Sequence, residues 1–335
     1  MKIVALVHET LVPPEDPGDV DVTTAEWKTE FDVCATLREM GHEVHAVGVS
    51  DDLAVIRRSL ARYKPRIVFN LLEEFAGHAI LDQNVVSYLE LVRMPYTGCN
   101  PRGLILARDK GLSKKVLIWH RIPTPDFAVF PMKRKIQRPK GLALPLIVKS
   151  LVEEASQGIS ASSVVHDDAE LVERVRYIHE QVGTDAIAEA FIDGREFYVG
   201  LLGNERLMVF PTWELFLDRL PDDVPRIATE LVKFDEGYQT RYGVDTGPAR
   251  ELPAGLNDRI AHTCKRAFRA LGLSGYARMD LRLGADGRFY ILEANPNPQL
   301  AYGEDLAESA EFGGITYESL LQRILNLGLR YRRRS

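Results

Sequence analysis

Tyr276–Leu283 and Arg288–Asn295 both alternate in polarity, and between them lies Asp286-Gly287, a dipeptide suited to a two-residue hairpin turn. Such a turn places Asp280 opposite Glu293, Arg278 opposite Asn295 and Leu281 opposite Leu292. The period of two then gathers Arg278, Asp280, Glu293 and Asn295 on one face. Ala277, Met279, Leu281, Leu283, Tyr290, Leu292 and Ala294 fall on the other, as an expected core set. Two carboxylates directly opposed across a hairpin repel and need a neutralising partner. A hard divalent cation such as Mg²⁺ supplies one: it takes oxygen ligands, keeps waters and shares itself with substrate phosphates. Asn295 would add an amide oxygen. The alternative is a solvated face in which Arg278 and Arg282 neutralise the acids, and the spacing alone leaves both open.

Two further groups carry chemistry. Pro145-Leu-Ile-Val-Lys149 is an apolar strand ending in a cation, followed by Glu153-Glu-Ala-Ser156-Gln-Gly158, whose small residues let backbone amides approach phosphate oxygens. A strand-end lysine is equally a surface residue, and the chain contains neither GxxxxGK[ST] nor GxGxxG. Glu189-Ala-Phe-Ile192, then Gly194-Arg-Glu196, read alone as a strand, a turn and an acid.

The elements around these residues alternate. Ile3–Val7 is a continuous apolar run, as in a strand covered on both faces. A helix over Thr24–Met40, a strand at Val44–Val49, a helix capped by Asp51 or Asp52 and running to Tyr63, a strand at Ile67–Leu72 and a helix over Ile80–Leu91 follow. This order predicts a parallel α/β unit over residues 1–100, whose ligands sit beyond the carboxyl ends of its strands. A second unit, 101–188, holds a helix at Asp109–His120, strands at Phe127–Phe130, Leu144–Lys149 and Ala186–Phe191, a Ser/Gly/acid-rich loop over Leu151–Ser163, and a helix from Asp167 or Asp168 to Val182. A third, 189–335, pairs Phe197–Leu202 with Leu207–Val209, and carries a helix over Asn257–Leu271 and the acid-bearing hairpin.

Composition excludes other classes. With 335 residues, 45% hydrophobic and 27% charged, the chain is an ordinary globular sequence. A net charge of −6 offers no electrostatic case for nucleic acid or anionic membrane, and the basic run ending at Ser335 reads as a solvated tail. Cys34, Cys99 and Cys264 are far apart, without metal-ligand spacing, and are expected to be reduced thiols of a cytoplasmic protein. The sequence shows no secretory signal and no run of the ~20 apolar residues that a membrane span needs.

Taken in order, these segments resemble the ATP-grasp superfamily, and within it the D-alanine–D-alanine ligase branch, over nearly the whole chain. The resemblance implies an N-terminal parallel α/β domain and two α+β domains that clamp ATP. Asp109-Lys110 resembles the first nucleotide-lysine segment, Leu146–Lys149 the second, and Glu153 to Ser160, including Ser156, the phosphate-covering loop. Glu189, Ala190 and Ile192 fall at the adenine hinge, Glu196 at the ribose-binding acid, and Lys233 at a further nucleotide contact. Arg278, Asp280, Glu293 and Asn295 match the GR(I/M)D and LE(A/V)N elements, and Pro95-Tyr-Thr-Gly98 the IPYTG turn. Implied are ATP, two Mg²⁺ ions (with Mn²⁺ as a substitute) on Asp280, Glu293 and Asn295, and catalytic roles for Arg278 and Lys149. The implied reaction is ADP-forming ligation of a small carboxylate to an amine through an acyl phosphate. The branch is commonly dimeric, which implies a homodimer.

The first-substrate region departs from that pattern. The ligase loop HGxxGEDGxxQ appears as Glu73-Glu-Phe-Ala-Gly77-His78-Ala-Ile-Leu-Asp-Gln83, so that Glu73 replaces the histidine and His78 an acid. Pro296-Asn297-Pro298-Gln299 replaces the segment that follows the metal-binding asparagine. Glu73, His78 and Asn297 are therefore the candidate substrate residues, and the expected substrates are amino acids or related acids other than D-alanine. D-alanine–D-alanine ligation proper, and phosphorylation of a small molecule at the same ATP site, are the alternatives.

Overall fold

The computed structural model describes residues 1–152, 159–221 and 224–332. The chain opens with β1 (Lys2–His8), α1 (Lys28–Glu39), β2 (Glu43–Val49), α2 (Leu53–Tyr63), β3 (Ile67–Asn70) and α3 (Asp82–Leu91). Ile3–Val7 are fully buried, and β1 lies at the centre of a parallel sheet of order β2-β1-β3. Asp52 starts α2 by accepting from Ala54 N at 2.7 Å. The first helix begins at Lys28 and not at Thr24. Asp21 captures Thr23 N and Oγ1, closing a separate 3₁₀ turn over Val22–Thr24, and Ala25 is extended.

Two helices then meet end to end. α4 (Pro101–Arg108) lies where the sequence analysis placed no element; its signal is Asn100, which accepts from Gly103 N, followed by Pro101 at the first helical position. Asp109 separates it from α5 (Lys110–Trp119) and caps the latter through Leu112 N at 2.8 Å. Lys110 thereby opens a helix, and Lys114 lies one turn further along the same face.

β4 (Phe127–Phe130), β5 (Leu146–Ser150), β6 (Val164–Val165), α6 (Asp168–Tyr177) and β7 (Ala186–Ala190) form an antiparallel sheet of order β4-β7-β5-β6 with one helix against it. Asp167 caps α6, a π turn continues it to Val182, and Gly183 ends it at φ +76°. The expected phosphate-covering residues Glu153 and Ser156 lie outside the described residues.

The remaining elements are β8 (Gly194–Leu202), β9 (Met208–Val209), β10 (Trp213–Phe216), α7 (Glu230–Phe234), α8 (Glu236–Tyr242), β11 (Asp245–Pro248), α9 (Leu256–Ala270), β12 (Tyr276–Gly284), β13 (Phe289–Pro296), α10 (Asp305–Phe312) and α11 (Tyr317–Arg330). They build a sheet of order β11-β10-β8-β12-β13, with β9 on β8. Leu256, Ile260, Cys264, Ala267 and Phe268 form the buried stripe that seats α9. One apolar core runs from Val4 and Leu6 of the first sheet and Leu89 of α3 to Phe197 and Met279 of the last sheet and Phe268 of α9. The middle sheet has its own core, of Phe130, Leu146, Val148, Leu171, Val175 and Ala186.

The β12–β13 hairpin differs from expectation in a way that matters for the site. Gly287 N donates to Gly284 O, and Gly287 has φ +74°, so the loop is one residue longer than a two-residue turn. The pairs next to it are Leu283–Phe289, Arg282–Tyr290 and Leu281–Ile291. A bulge at Leu292 then restores the expected pairs Asp280–Glu293 and Arg278–Asn295. On β13 the core side chains before the bulge are therefore Phe289 and Ile291, not Tyr290 and Leu292, which are only half-buried. The backbone freed by the bulge finds other partners: Ile291 N donates to Pro123 O, and Leu292 O accepts from Lys114 Nζ at 2.9 Å.

Candidate active site

The register of β8, β12 and β13 assembles one polar face. Arg278 lies between Gly200 and Asn295, Asp280 between Tyr198 and Glu293, and Arg282 opposite Glu196. Arg278 chelates Asp280 through Nε and Nη2 at 2.8 and 2.9 Å, stacks at 4.6 Å over the Tyr198 ring, and has Asp305 at 3.6 Å. Asn295 Nδ2 donates to Asp280 Oδ2 at 2.9 Å. Arg282 does not neutralise the hairpin acids. It holds Glu196 Oε2 through Nε and Nη2 at 3.1 and 3.0 Å, while Tyr198 Oη donates to Glu196 Oε1. Burial alone would raise the Glu293 carboxyl, but the Lys110, Lys149 and Lys233 ammoniums and Arg278 outweigh it and hold the group at about 2.

The donors on this face suit a hard cation. Two carboxylates face each other, with an amide oxygen beside them, and among the described residues no group of three or more His, Cys, Asp and Glu could hold a metal by itself. An ion on Asp280, Glu293 and Asn295 would have to complete its shell with water and phosphate oxygens, which is how Mg²⁺ is usually held.

Facing the hairpin is a buried lysine cluster that sequence reading resolved only in part. Lys149 lies diagonal to Glu189 across the β5–β7 ladder, since Ile147 pairs with Glu189. Glu189 is fully buried, and its Oε2 lies 3.5 Å from Lys149 Nζ and 3.3 Å from Lys114 Nζ. Burial would raise its carboxyl, but Lys114 and Lys149 hold it below the usual carboxylate range. Lys114, 1% exposed, also donates to Thr124 Oγ1 and Leu292 O, each at 2.9 Å. Desolvation pushes its ammonium below the ordinary lysine value. It braces α5, β7 and the bulge from behind and does not line the cleft. Lys110 lies 3.7 Å from Glu293 Oε2. The other oxygen of Glu189, Oε1, is buried with no hydrogen-bond partner among the described residues.

Lys110, Lys149, Glu189, Ala190, Ile192, Glu196, Lys233, Asp280 and Glu293 all line a single cleft between the middle sheet and the last. A second cleft holds Arg278, Asn295, Asn297 and Glu73, and meets the first at Lys233 and Glu293. His78 lies apart from both: it is exposed, its backbone pairs with Phe75, and it lines neither cleft. Asn297 has φ +54°, and its Oδ1 accepts from Cys99 N at 2.7 Å, bolting the end of β13 to the end of the parallel sheet. Gly98 permits this at φ +92°, where a Cβ would come within 2.4 Å of that same oxygen. Arg108 was not singled out from the sequence. It forms a buried pair with Asp82 at 2.6 Å and donates to Glu73 O at 3.1 Å, shaping the wall of the second cleft. Glu304 and Asp305, ahead of and within α10, line the same cleft and likewise escaped notice.

Comparison with known proteins follows the same lines. The family model described as D-ala D-ala ligase C-terminus matches residues 117–326. The uncharacterized protein y4sG of Sinorhizobium fredii is 31% identical over 89% of this chain and 86% of its own length. A D-alanine–D-alanine ligase of Desulfotalea psychrophila is 31% identical over 74% of each chain. Among solved structures, the D-alanine–D-alanine ligase of Bacillus anthracis complexed with ATP superposes with a TM-score of 0.76 over 98% of both chains at 23% identity. No helix among the described residues is long and apolar enough to cross a membrane.

Proposed function

Since the chain belongs to the D-alanine–D-alanine ligase family of ATP-grasp enzymes, ligases that form C–N bonds, we propose that it is an ATP-dependent, ADP-forming carboxylate–amine ligase joining amino acids or related small acids other than D-alanine. The meeting of the two clefts carries this reading: Glu293 and Lys233 line both, so a phosphoryl group held in the first faces an acceptor held in the second. Residues 1–100, 101–188 and 189–335 are the three units of the clamp.

The residues divide the work by chemistry. Glu189 Oε1, buried and without a partner, is suited to accept from an exocyclic amine of a purine, next to the backbone of Ala190–Ile192. Glu196, held by Arg282 and Tyr198, keeps lone pairs for ribose hydroxyls. Lys110, Lys149 and Lys233 offer point charges to the phosphates. Asp280, Glu293 and Asn295 would hold Mg²⁺, which neutralises charge on the phosphoryl group in transfer. In this reading a substrate carboxylate oxygen takes the γ-phosphoryl group as ADP leaves. The amine nitrogen then attacks the acyl carbon, phosphate departs with its oxygen, and the amine loses a proton. Arg278 stands where an acyl oxyanion would develop, with its guanidinium already oriented by Asp280, Asp305 and the Tyr198 ring. Glu153 and Ser156 remain assigned to phosphate covering by resemblance alone.

The departure from D-alanine rests on the second cleft, where Glu73 and the Pro296–Gln299 segment form the wall. ADP release from Mg²⁺-ATP, measured against a matrix of D- and L-amino acids offered as acid and amine, tests the reading. Release that needs both an acid and an amine supports it. Release with D-alanine alone, yielding the D-Ala-D-Ala dipeptide, overturns the substrate part. Release with one compound and a stable phosphorylated product overturns the ligase part.

A further inference from the structure

Beyond the second cleft lies a pocket with an unusual charge. It is lined by Glu26 and Glu30 from the segment entering and opening α1, by Glu73 and Glu74 after β3, and by His8 at the end of β1. Among the described residues, neither Lys nor Arg lines it. Glu26 and Glu73 are exposed at the mouth, whereas Glu30 is 5% exposed and its Oε2 has no hydrogen-bond partner among the described residues. A buried carboxylate is ordinarily paired, because leaving it unmatched costs more than any other polar burial. Among the described residues lining the pocket the one basic side chain is His8, and its Nε2 lies 3.4 Å from Glu74 Oε1. Burial accordingly pushes the Glu30 carboxyl up to about 7. The pocket opens into the cleft that carries Arg278 and Asn295: Glu26, Thr29, Glu73 and Asn297 line both.

We infer that this pocket is the seat of a second, cationic group on one of the two substrates, so that the ligase takes a diamino carboxylic acid of the lysine or ornithine class. The inference rests on the ligase reading above. An ammonium on an alkyl chain can enter past Glu26 and Glu73 and end at Glu30, while its carboxylate stays in the cleft beside Arg278. Like-signed walls around a low-dielectric recess concentrate such a cation, and its three N–H donors match an unpartnered carboxylate oxygen. A neutral alkyl chain of the same length would leave Glu30 unmatched, which is how a polar site rejects an isostere.

The test compares D- and L-lysine and ornithine with norleucine, which has a similar chain without the ammonium, in ADP release at saturating Mg²⁺-ATP with a common amine partner. We expect kcat/KM for a diamino acid to exceed that for norleucine at least tenfold. Glu30→Gln should cut that preference at least tenfold and leave the KM for ATP unchanged. If Glu30→Gln does not fold, Glu73→Gln and Glu26→Gln, at exposed positions, should together reduce the preference. Norleucine or alanine used as well as lysine overturns the inference and leaves the ligase reading standing, as does a preference that these variants do not move. Should no pair release ADP, the ligase reading fails, and binding alone decides the pocket: lysine must raise the melting temperature of the native chain and not of Glu30→Gln, and equal or absent shifts overturn the inference.

Discussion

Lys114→Met separates a bracing lysine from one that binds nucleotide. The side chain is 1% exposed, its Nζ lies 3.3 Å from Glu189 Oε2, and it donates to Thr124 Oγ1 and Leu292 O. Breaking a buried ion pair by removing one partner costs about 3–5 kcal/mol. Glu189 retains Lys149 at 3.5 Å, which pulls the figure toward the lower end. Leu292 O, turned out of its ladder by the bulge, loses its donor, and leaving it unsatisfied adds about 1 kcal/mol or more. The expected loss is thus about 4 kcal/mol, read as a fall in melting temperature on the order of 5–15 °C. Glu189→Gln should be destabilising too, and the double variant less so than the sum, with a coupling above about 1.5 kcal/mol. Urea denaturation of the four proteins, without nucleotide, measures the cycle. A loss below about 1 kcal/mol for Lys114→Met, or strict additivity, would refute the claim that a charged, paired Lys114 holds these elements together.

The other outcomes concern the clefts. Lys149→Met, at a position that lines the nucleotide cleft, should weaken ATP at least tenfold by KM or calorimetry while costing less stability than Lys114→Met, because Glu189 keeps Lys114. Glu293→Gln should abolish turnover and leave a cooperatively melting protein, as circular dichroism would show. For Glu30, whose carboxyl is raised by burial from its ordinary 4.5 to about 7, native stability falls as pH rises from 4.5 through 7. Glu30→Gln, which mimics the protonated form, should therefore match the native chain below pH 4.5 and exceed it by up to about 3 kcal/mol above pH 7. Chemical denaturation at pH 4 and pH 8 checks the sign. The groups facing it are Cys34 on its own helix and Glu26, Glu73, Glu74 and His8 around the pocket.

What the sequence discloses is local in character. The fully apolar Ile3–Val7, the cap candidates Asp51 or Asp52 and Asp167 or Asp168, and the spacing of Asp280 and Glu293 all act within a few residues of themselves; the structure buries the first, uses Asp52 and Asp167 as caps and pairs the two acids. The helix at Pro101–Arg108 carries an equally local signal in Asn100-Pro101, a cap followed by a proline at the first helical position. Lys114 and Glu189 could not be matched from the sequence, because their meeting depends on how α5 lies across the middle sheet. Glu30 carries no motif at all: one acid in an amphipathic helix reads as solvated until the packing encloses it. His78 shows the opposite limit. A residue in the right loop is drawn into a motif by its position, and the fold turns it to solvent.

The bulge at Leu292 makes the parity of β13 a sum of two separate choices. One residue added at the Gly284–Arg288 loop is cancelled by one added at Leu292, so the acids at 280 and 293 meet as they would in a perfectly regular hairpin. Were the same chain to close on a two-residue turn at Asp286-Gly287, with Ala285 facing Arg288, both acids could keep their places only if the bulge flattened. Leu292 would then turn toward the core, and its carbonyl would rejoin the ladder. Lys114 would lose one of its two neutral acceptors, so loop length at the far tip of the hairpin bears on the comfort of a lysine buried behind the opposite end. The choice of turn there is thus coupled to the nucleotide side of the molecule through backbone geometry alone.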